Sequence, residues 1–271
     1  MPELPEVETT CRGIEPHLLG KTVVKVIVRN ANLRWPVTTK LEDKIKGGTI
    51  ENVARRGKYI LIQVEQGTML IHLGMSGSLR IVDKNTAVEK HDHVDIIVSD
   101  DLCLRLRDPR RFGSVLWAGK KPLQHKLLIK LGPEPLSDEF NSEYIYEKSR
   151  RRSQSIKTFI MDSHMVVGVG NIYASESLFR CGIHPRRAAG NISRKRYDLL
   201  VKSIKNVLNE AIVSGGTTLR DFVSSEGTPG YFAQKLNVYG RNNQACYTCE
   251  SVIKQLTQGQ RSTFYCPNCQ H

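Results

Sequence analysis

Apolar residues recur along this chain with two periods, and the dominant one changes near residue 133. At the start, Val7, Cys11, Ile14 and Leu18 stand three or four apart, which puts them on one face of a helix over 5–19. Pro5 suits its first turn and Gly20 ends it. The segments 22–29, 49–53, 59–64, 68–73, 78–82, 93–98, 102–106 and 113–118 are short β-rich runs, and Ser99-Asp100-Asp101 predicts a hairpin turn. Many short strands at this spacing imply a sandwich or a barrel. Gly132-Pro133-Glu134-Pro135 predicts the start of a linker, and beyond it the helical period dominates. Its clearest stretch is 193–213: Tyr197, Leu200, Val201, Ile204, Leu208, Ala211 and Ile212 share a face. Ser193 supplies a cap there and Gly215-Gly216 a stop. A Gly/Ser/Thr-rich stretch fills 214–230, and a small module begins near Leu236. The sum is an α+β multidomain chain.

Composition narrows the class. The 271 residues are 39% apolar and 25% charged, the balance of a soluble globular protein with room for two ordinary domains or one large one. No apolar run approaches a membrane span, and the acidic, proline-bearing start is not a signal peptide, so a cytosolic protein is expected. The net charge of +13 is uneven: residues 1–149 carry 23 basic against 20 acidic side chains, residues 150–271 carry 17 against 7. That excess predicts an anionic partner, nucleic acid first. On charge alone, a basic surface without such a role stays open.

Four of the seven cysteines fall in the last 26 residues, as Cys246-x2-Cys249, sixteen residues, then Cys266-x2-Cys269. Each pair puts two thiolates on one tight turn, and two such turns supply four soft ligands at the corners of a tetrahedron, which suits Zn2+. Four thiolates leave no place for water, so the expected ion is structural. The interval between the pairs suits a β-hairpin, with Arg261 near its tip and Lys254 before it. Cys11, Cys103 and Cys181 stand alone.

The first residues, Met1-Pro2-Glu3-Leu4-Pro5-Glu6, carry candidate chemistry. A small second residue permits removal of Met1, exposing the secondary amine of Pro2. An α-amino group has a pKa near ~8, against ~10.4 for lysine, so roughly a tenth is unprotonated at neutral pH. Such an amine attacks a sugar aldehyde carbon without further tuning and leaves a cationic iminium. Glu3 stands beside it as a proton donor, and Glu6 one helical turn on. By composition alone the same residues also read as an acidic helix entry with prolines.

The run Met1-Pro2-Glu3-Leu4-Pro5-Glu6-Val7-Glu8-Thr9 resembles the start of the formamidopyrimidine-DNA glycosylases, bacterial enzymes that repair 8-oxoguanine. The likeness continues through Arg55-Arg56-Gly57-Lys58-Tyr59, His72-Leu73-Gly74-Met75-Ser76-Gly77, Lys90-His91-Asp92-His93 and Asp108-Pro109-Arg110-Arg111-Phe112-Gly113. It extends over Leu131–Pro135, Gly168–Tyr173 and Pro229–Ala233 into the cysteine module, nearly the whole chain in the family's order. The resemblance implies an N-terminal helix with a two-layer β-sandwich over 1–132. It implies a helical domain with a helix–two-turn–helix and a lesion-capping loop over 133–235, and a zinc β-hairpin over 236–271. DNA would lie in the cleft between the halves.

It also implies roles. Pro2 is similar to the family's Schiff-base nucleophile, Glu3 to its general acid for base loss, and Lys58 to its proton donor for β-elimination. By residue type alone, Lys58 is a phosphate contact. Arg261 matches the hairpin arginine of δ-elimination, which also touches phosphate. His72, His91, Arg110, Arg152 and Asn171 align with DNA-binding positions. Arg150-Arg151-Arg152 replaces a run of lysines, leaving the register of Arg152 open by one; such a triple otherwise reads as a solvated face. Met75, Arg110 and Phe112 resemble the wedge that fills the gap when a damaged nucleotide is flipped out. Core packing is the other reading of Met75 and Phe112. Glu6 is assigned to support of the lesion site. Gly168-Val169-Gly170 before Asn171 predicts a helix-start phosphate site with an Asn cap, not a dinucleotide fingerprint. The expected partner is double-stranded DNA bearing oxidised purines or abasic sites, bound by a monomer with one zinc and no other cofactor. Two alternatives remain: an endonuclease VIII-type enzyme for oxidised pyrimidines, whose start typically has Gly where this chain has Leu4, and an inactive zinc-ribbon DNA-binding protein.

Overall fold

The computed structural model describes residues 2–216 and 236–271. Met1 lies outside them, as do most of the Gly/Ser/Thr-rich stretch, the lesion-capping loop assigned to it and the Pro229–Ala233 motif. The described residues form two compact units, one of residues 2–129 with 214–216, the other of 130–213 with 236–271.

The first unit opens with helix α1, Leu4–Leu18. Glu3 is its N-cap, and Glu6 reaches back to accept the Glu3 N–H at 2.8 Å, so a capping box fixes where the helix starts. Pro5 sits in the first turn, where a missing N–H costs nothing. Its apolar stripe of Leu4, Val7, Cys11, Ile14 and Leu18 is buried. Strands β1 (Val23–Val28), β6 (Asp92–Val98), β7 (Leu102–Arg107) and β5 (Ser78–Asp83) form one antiparallel sheet in that order. A second sheet orders β2 (Ile50–Arg56), β3 (Tyr59–Val64), β4 (Gly67–His72) and β8 (Ser114–Gly119). A short helix α2, Leu41–Ile45, lies between β1 and β2 in the chain. Ile60, Ile62 and Ile71 of one sheet share a core with Leu79, Ile96 and Leu104 of the other, so the architecture is a sandwich and not a barrel. Each such side chain contributes about 1.5–3 kcal/mol by leaving water. The three-residue turn Ser99-Asp100-Asp101 between β6 and β7 has φ of 64° and 60° at Asp100 and Asp101, a left-handed backbone that aspartate tolerates.

The sandwich also holds buried charge. Arg105 is 2% exposed and grips Asp95 with two bonds of 2.9 Å, while a third and fourth go to the carbonyls of Thr86 and Ala87. Arg29 adds a 2.7 Å bond to the same carboxylate. Burial alone would raise the Asp95 pKa, but the bonds and charges of these two guanidinium groups more than offset it and hold it low.

The second unit contains α3 (Ser142–Ser149), α4 (Ile156–Ile160), α5 (Asn171–Arg180) and α6 (Arg194–Val213). The apolar face expected on α6 is buried, including Tyr197, Leu200, Ile204 and Leu208. Gly132-Pro133 is packed into this unit: a Cβ on Gly132 would lie 2.7 Å from the His164 carbonyl oxygen, and Pro133 accepts the Val167 N–H at 3.1 Å. Glu176 of α5 is fully buried and accepts the N–H groups of Asn237, Val238 and Tyr239 at 2.8–2.9 Å. It thereby ties the chain entering the cysteine module to α5. The module ends in a hairpin of β9 (Lys254–Gln258) and β10 (Arg261–Tyr265), joined by Gly259-Gln260 at φ 53° and 60°. The fold is thus a helix with a two-layer sandwich, a helical part and a hairpin beside a cysteine quartet. Among the described residues, no helix is long and apolar enough to cross a membrane.

Candidate active site and metal centre

The sandwich gathers most of the predicted chemistry at one end. Tyr59 pairs with His72, and His72 with Ser114, so the start of β3, the end of β4 and the start of β8 stand in one row. Lys58 precedes that row on the two-residue turn from β2, where Gly57 at φ +57° takes the left-handed first position that favours glycine. Helix α1 is tied to the same turn. Glu8 accepts from Arg55 at 2.8 Å, and Arg55 also donates to the Gly57 carbonyl at 3.0 Å. Burial would push the Glu8 carboxyl up, but bonds from Arg55 and Arg12 outweigh it and hold it below the ordinary value. Pro2 and Glu3 sit at the N-terminal end of that helix; Glu3 and Glu6 are each 2% exposed.

His72 is a neutral imidazole. Burial, then the charges of Lys58 and Arg34, hold its pKa at about 4. Its Nδ1 accepts the Gly74 N–H at 3.0 Å, so the ring proton is on Nε2. Tyr59 packs against it with centroids 4.8 Å apart.

Met75 lies in the loop from β4 to β5, and Arg110 and Phe112 in the loop from β7 to β8. Phe112 is 41% exposed, which rules out core packing for it, and Arg110 lies over its ring at 4.9 Å. With Asn32, Arg34 and Arg111 they line an open cleft of about 480 Å³. Three guanidinium groups and an aromatic face suit a nucleotide: phosphate for the charges, a base for the ring. His91 is half-buried and holds a left-handed backbone at φ +84°.

In the second unit, Gly170 and not Asn171 is the N-cap of α5, and no side chain caps that helix. The expected Asn cap is therefore corrected. Asn171 is occupied elsewhere: its Oδ1 accepts from Lys157 Nζ at 2.6 Å, and its Nδ2 donates to the Ser262 carbonyl at 2.9 Å. Lys157 is 1% exposed and also donates to Thr263 Oγ1 at 2.7 Å and the Ser262 carbonyl at 3.2 Å. This buried ammonium fixes β10 against α4 and α5 right beside Arg261. Lys157 was missed in the sequence; the available signal was a lysine set among Ile156, Phe159 and Ile160. Arg261 is exposed and lines a cleft of about 220 Å³ with Thr158, Met161 and Gln258. In the arginine triple, Arg150 is used internally: it stacks on Tyr146 at 3.9 Å and donates to the carbonyls of Tyr146 and Ile192. Arg151 and Arg152 are exposed.

The four cysteines of the module converge. Their sulfurs lie within 4.8 Å of one another, with pairs at 3.4 and 3.9 Å. Zinc–sulfur bonds of ~2.3 Å in a tetrahedron place sulfurs about 3.8 Å apart, so the set fits one Zn2+. Cys11, Cys103 and Cys181 take no part: burial raises their thiol pKa values to about 12, 11 and 12.

Known proteins match along the whole length. Residues 1–115 match the formamidopyrimidine-DNA glycosylase N-terminal domain, 131–223 the helix–two-turn–helix domain of the same enzymes, and 243–271 a zinc finger found in them and in IleRS. The formamidopyrimidine-DNA glycosylases of Saccharophagus degradans and Thioalkalivibrio sulfidiphilus are 57% and 56% identical to the chain over 270 residues, covering 100% of both partners. Among solved structures, MutM (Fpg) from Thermus thermophilus superposes with a TM-score of 0.90 at 34% identity, over 99% of this chain and 98% of that one. Lactococcus lactis Fpg in complex with DNA containing an abasic site gives 0.92 at 32% identity, covering both chains completely. A single-residue mutant of that enzyme with Fapy-dG-containing DNA gives 0.93 at 31%, again over both chains. The zinc-finger match and the converging thiolates together assign one structural zinc ion to Cys246, Cys249, Cys266 and Cys269. With three consecutive domain matches and full-length relatives above half identity, the chain belongs to the formamidopyrimidine-DNA glycosylase family.

Proposed function

We propose that this protein is a base-excision repair glycosylase that removes oxidised purines from double-stranded DNA and then cuts the strand at the abasic site. It acts as a monomer in the cytoplasm, on the nucleoid. The observation that supports this reading best is the capping box at the start of α1. Glu6 fixes the backbone of Glu3 at 2.8 Å, and so sets the place of the adjoining Pro2.

Once Met1 is removed, the Pro2 amine attacks C1′ of the flipped nucleotide. Glu3 supplies the proton that lets the sugar ring open as the base departs. The resulting iminium acidifies the C2′ proton. β-Elimination breaks the 3′ C–O bond, with Lys58 as proton donor, and δ-elimination assisted by Arg261 breaks the 5′ bond. The products are a one-nucleoside gap with phosphates at both ends. His72, His91 and Arg152 hold phosphates with their side chains and Asn171 with its backbone N–H at the start of α5, Met75, Arg110 and Phe112 fill the emptied stack, and Glu6 supports Glu3. Functionally the chain divides into a catalytic sandwich domain over 1–132, a helical domain over 133–235 and a zinc hairpin over 236–271. The zinc keeps Arg261 on a rigid hairpin and takes no part in the chemistry.

Borohydride reduction of a reaction with an 8-oxoguanine:C duplex is expected to leave a covalent adduct on Pro2, located by peptide mass. Unchanged trapping and cleavage by Pro2→Gly, or by protein that retains Met1, would remove Pro2 from the mechanism. Faster excision from a thymine-glycol duplex than from 8-oxoguanine:C would reassign the substrate to oxidised pyrimidines.

A further inference from the structure

The loops bearing Met75 and the Arg110/Phe112 pair are both crossovers between the two sheets, and their backbones touch. A Cβ on Gly74, at φ +66°, would lie 2.4 Å from the Phe112 carbonyl carbon and 2.5 Å from the Gly113 nitrogen. Only glycine permits this approach. One buried carboxylate bonds to both loops. Asp108 is fully buried; one oxygen accepts from the Ser76 hydroxyl at 3.1 Å and the other from the Gly113 N–H at 2.7 Å. The Ser76 oxygen in turn accepts the Arg110 N–H at 3.3 Å. The Asp108 backbone completes the clasp: its N–H donates to the His91 carbonyl at 3.0 Å, and its carbonyl accepts from Arg111 N–H at 3.1 Å and His93 Nε2 at 2.9 Å. Inside this clasp Arg111 holds a left-handed backbone at φ +56°, a conformation that persists only where its surroundings enforce it.

We infer that Asp108 is a positioning residue for the wedge: it locks the two loops together so that Met75, Arg110 and Phe112 enter the duplex as one preformed body. The inference rests on the wedge reading of those three side chains. A loop that must be ordered during insertion draws that ordering cost from the energy available to unstack DNA; a clasped loop does not. Asp108 touches neither base nor sugar. Its effect is confined to steps that require a nucleotide to leave an intact duplex.

The test uses the full chain as Asp108→Ala, Ser76→Ala and Asp108→Asn, with Phe112→Ala as the wedge control. One readout is excision from an 8-oxoguanine:C duplex, with 2-aminopurine beside the lesion reporting unstacking. The other is borohydride trapping on a single-stranded oligonucleotide with a preformed abasic site, which has no partner strand to open. Asp108→Ala is expected to lose about tenfold to a hundredfold in duplex excision, together with the fluorescence rise, while single-strand trapping persists. Asp108→Asn is expected to restore duplex excision, because its amide still accepts from Gly113 and donates to Ser76. Ser76→Ala repeats the loss with a smaller change to the core. Asp108→Ala and Ser76→Ala with wild-type excision and fluorescence, beside a defective Phe112→Ala, would overturn the inference and leave the wedge standing. Equal losses on duplex and single strand would overturn it in favour of a general structural role. An unaffected Phe112→Ala would remove the wedge itself, and the inference with it.

Discussion

The neutral state of His72 has a consequence for stability that can be worked through. Its ring is held at about 4 by burial and by the charges of Lys58 and Arg34, whereas an unfolded histidine titrates near its ordinary 6.5. The folded-state pKa is depressed, so the unfolded state binds the proton first. Stability is therefore full above pH ~6.5 and drains away as pH falls toward ~4. Between pH 7.5 and 5.5 those two pKa values predict a loss of ~1.3 kcal/mol; partial contact of the ring with water trims this to ~1 kcal/mol. The perturbation is His72→Asn, whose Oδ1 takes the place of Nδ1 as acceptor for the Gly74 N–H. Urea unfolding of both proteins across that pH range should show the wild type losing that amount more than the variant. Ring nitrogen shifts should show protonated Nε2 and unprotonated Nδ1 throughout. A ring that titrates at pH 6 or above, or two parallel stability curves, would refute the reasoning. Lys58→Met should raise the His72 pKa only partway, since burial is the larger cause.

Three further outcomes follow from the same geometry. Arg105→Ala leaves the buried Asp95 carboxylate to Arg29 alone and takes the donor from the Thr86 and Ala87 carbonyls, and should cost ~3 kcal/mol in urea unfolding. Arg151→Ala and Arg152→Ala should each lower the slope of log affinity against log salt by about 1, whereas Arg150→Ala, which loses a stack and its internal bonds, should instead lower the melting temperature. Iodoacetamide at pH 8 should label none of the seven cysteines while zinc is bound and four after chelation; mass mapping should find Cys11, Cys103 and Cys181 labelled only after unfolding.

The β-sandwich was legible because its strands are short apolar, β-branched runs that turn residues such as Asp100-Asp101 bring to a stop. Helix α1 was legible through its apolar stripe, with Gly20 in place. The cysteine spacing gave the metal centre directly, since ligand geometry is local to each pair. What escaped were buried polar residues. Lys157, Glu176, Arg105 and Asp108 are each 2% exposed or less, yet a polar letter in a sequence reads as surface. Their partners lie far along the chain: Lys157 bonds to Thr263, and Glu176 to Val238. No periodicity reports such a pairing. Helix α4 spans only five residues, too few to display an apolar face. Asn171 had the right residue type for a cap, but Lys157 and Ser262 compete successfully for its side chain.

The hairpin that carries Arg261 makes its geometry discrete. Arg261 pairs with Gln258 directly after a two-residue turn, and the pairing runs unbroken to Tyr265 opposite Lys254. Side chains along a strand alternate between faces with a period of two, so this arginine has two addresses and nothing between them. Adding one residue to β10 between Arg261 and Cys266, while the cysteine end stays fixed, would send Arg261 to the opposite face of the ribbon. Two added residues would return it to the same face, about 7 Å further out. Length variation in this segment thus behaves as a parity rule: even changes alter reach, and odd changes erase the contact.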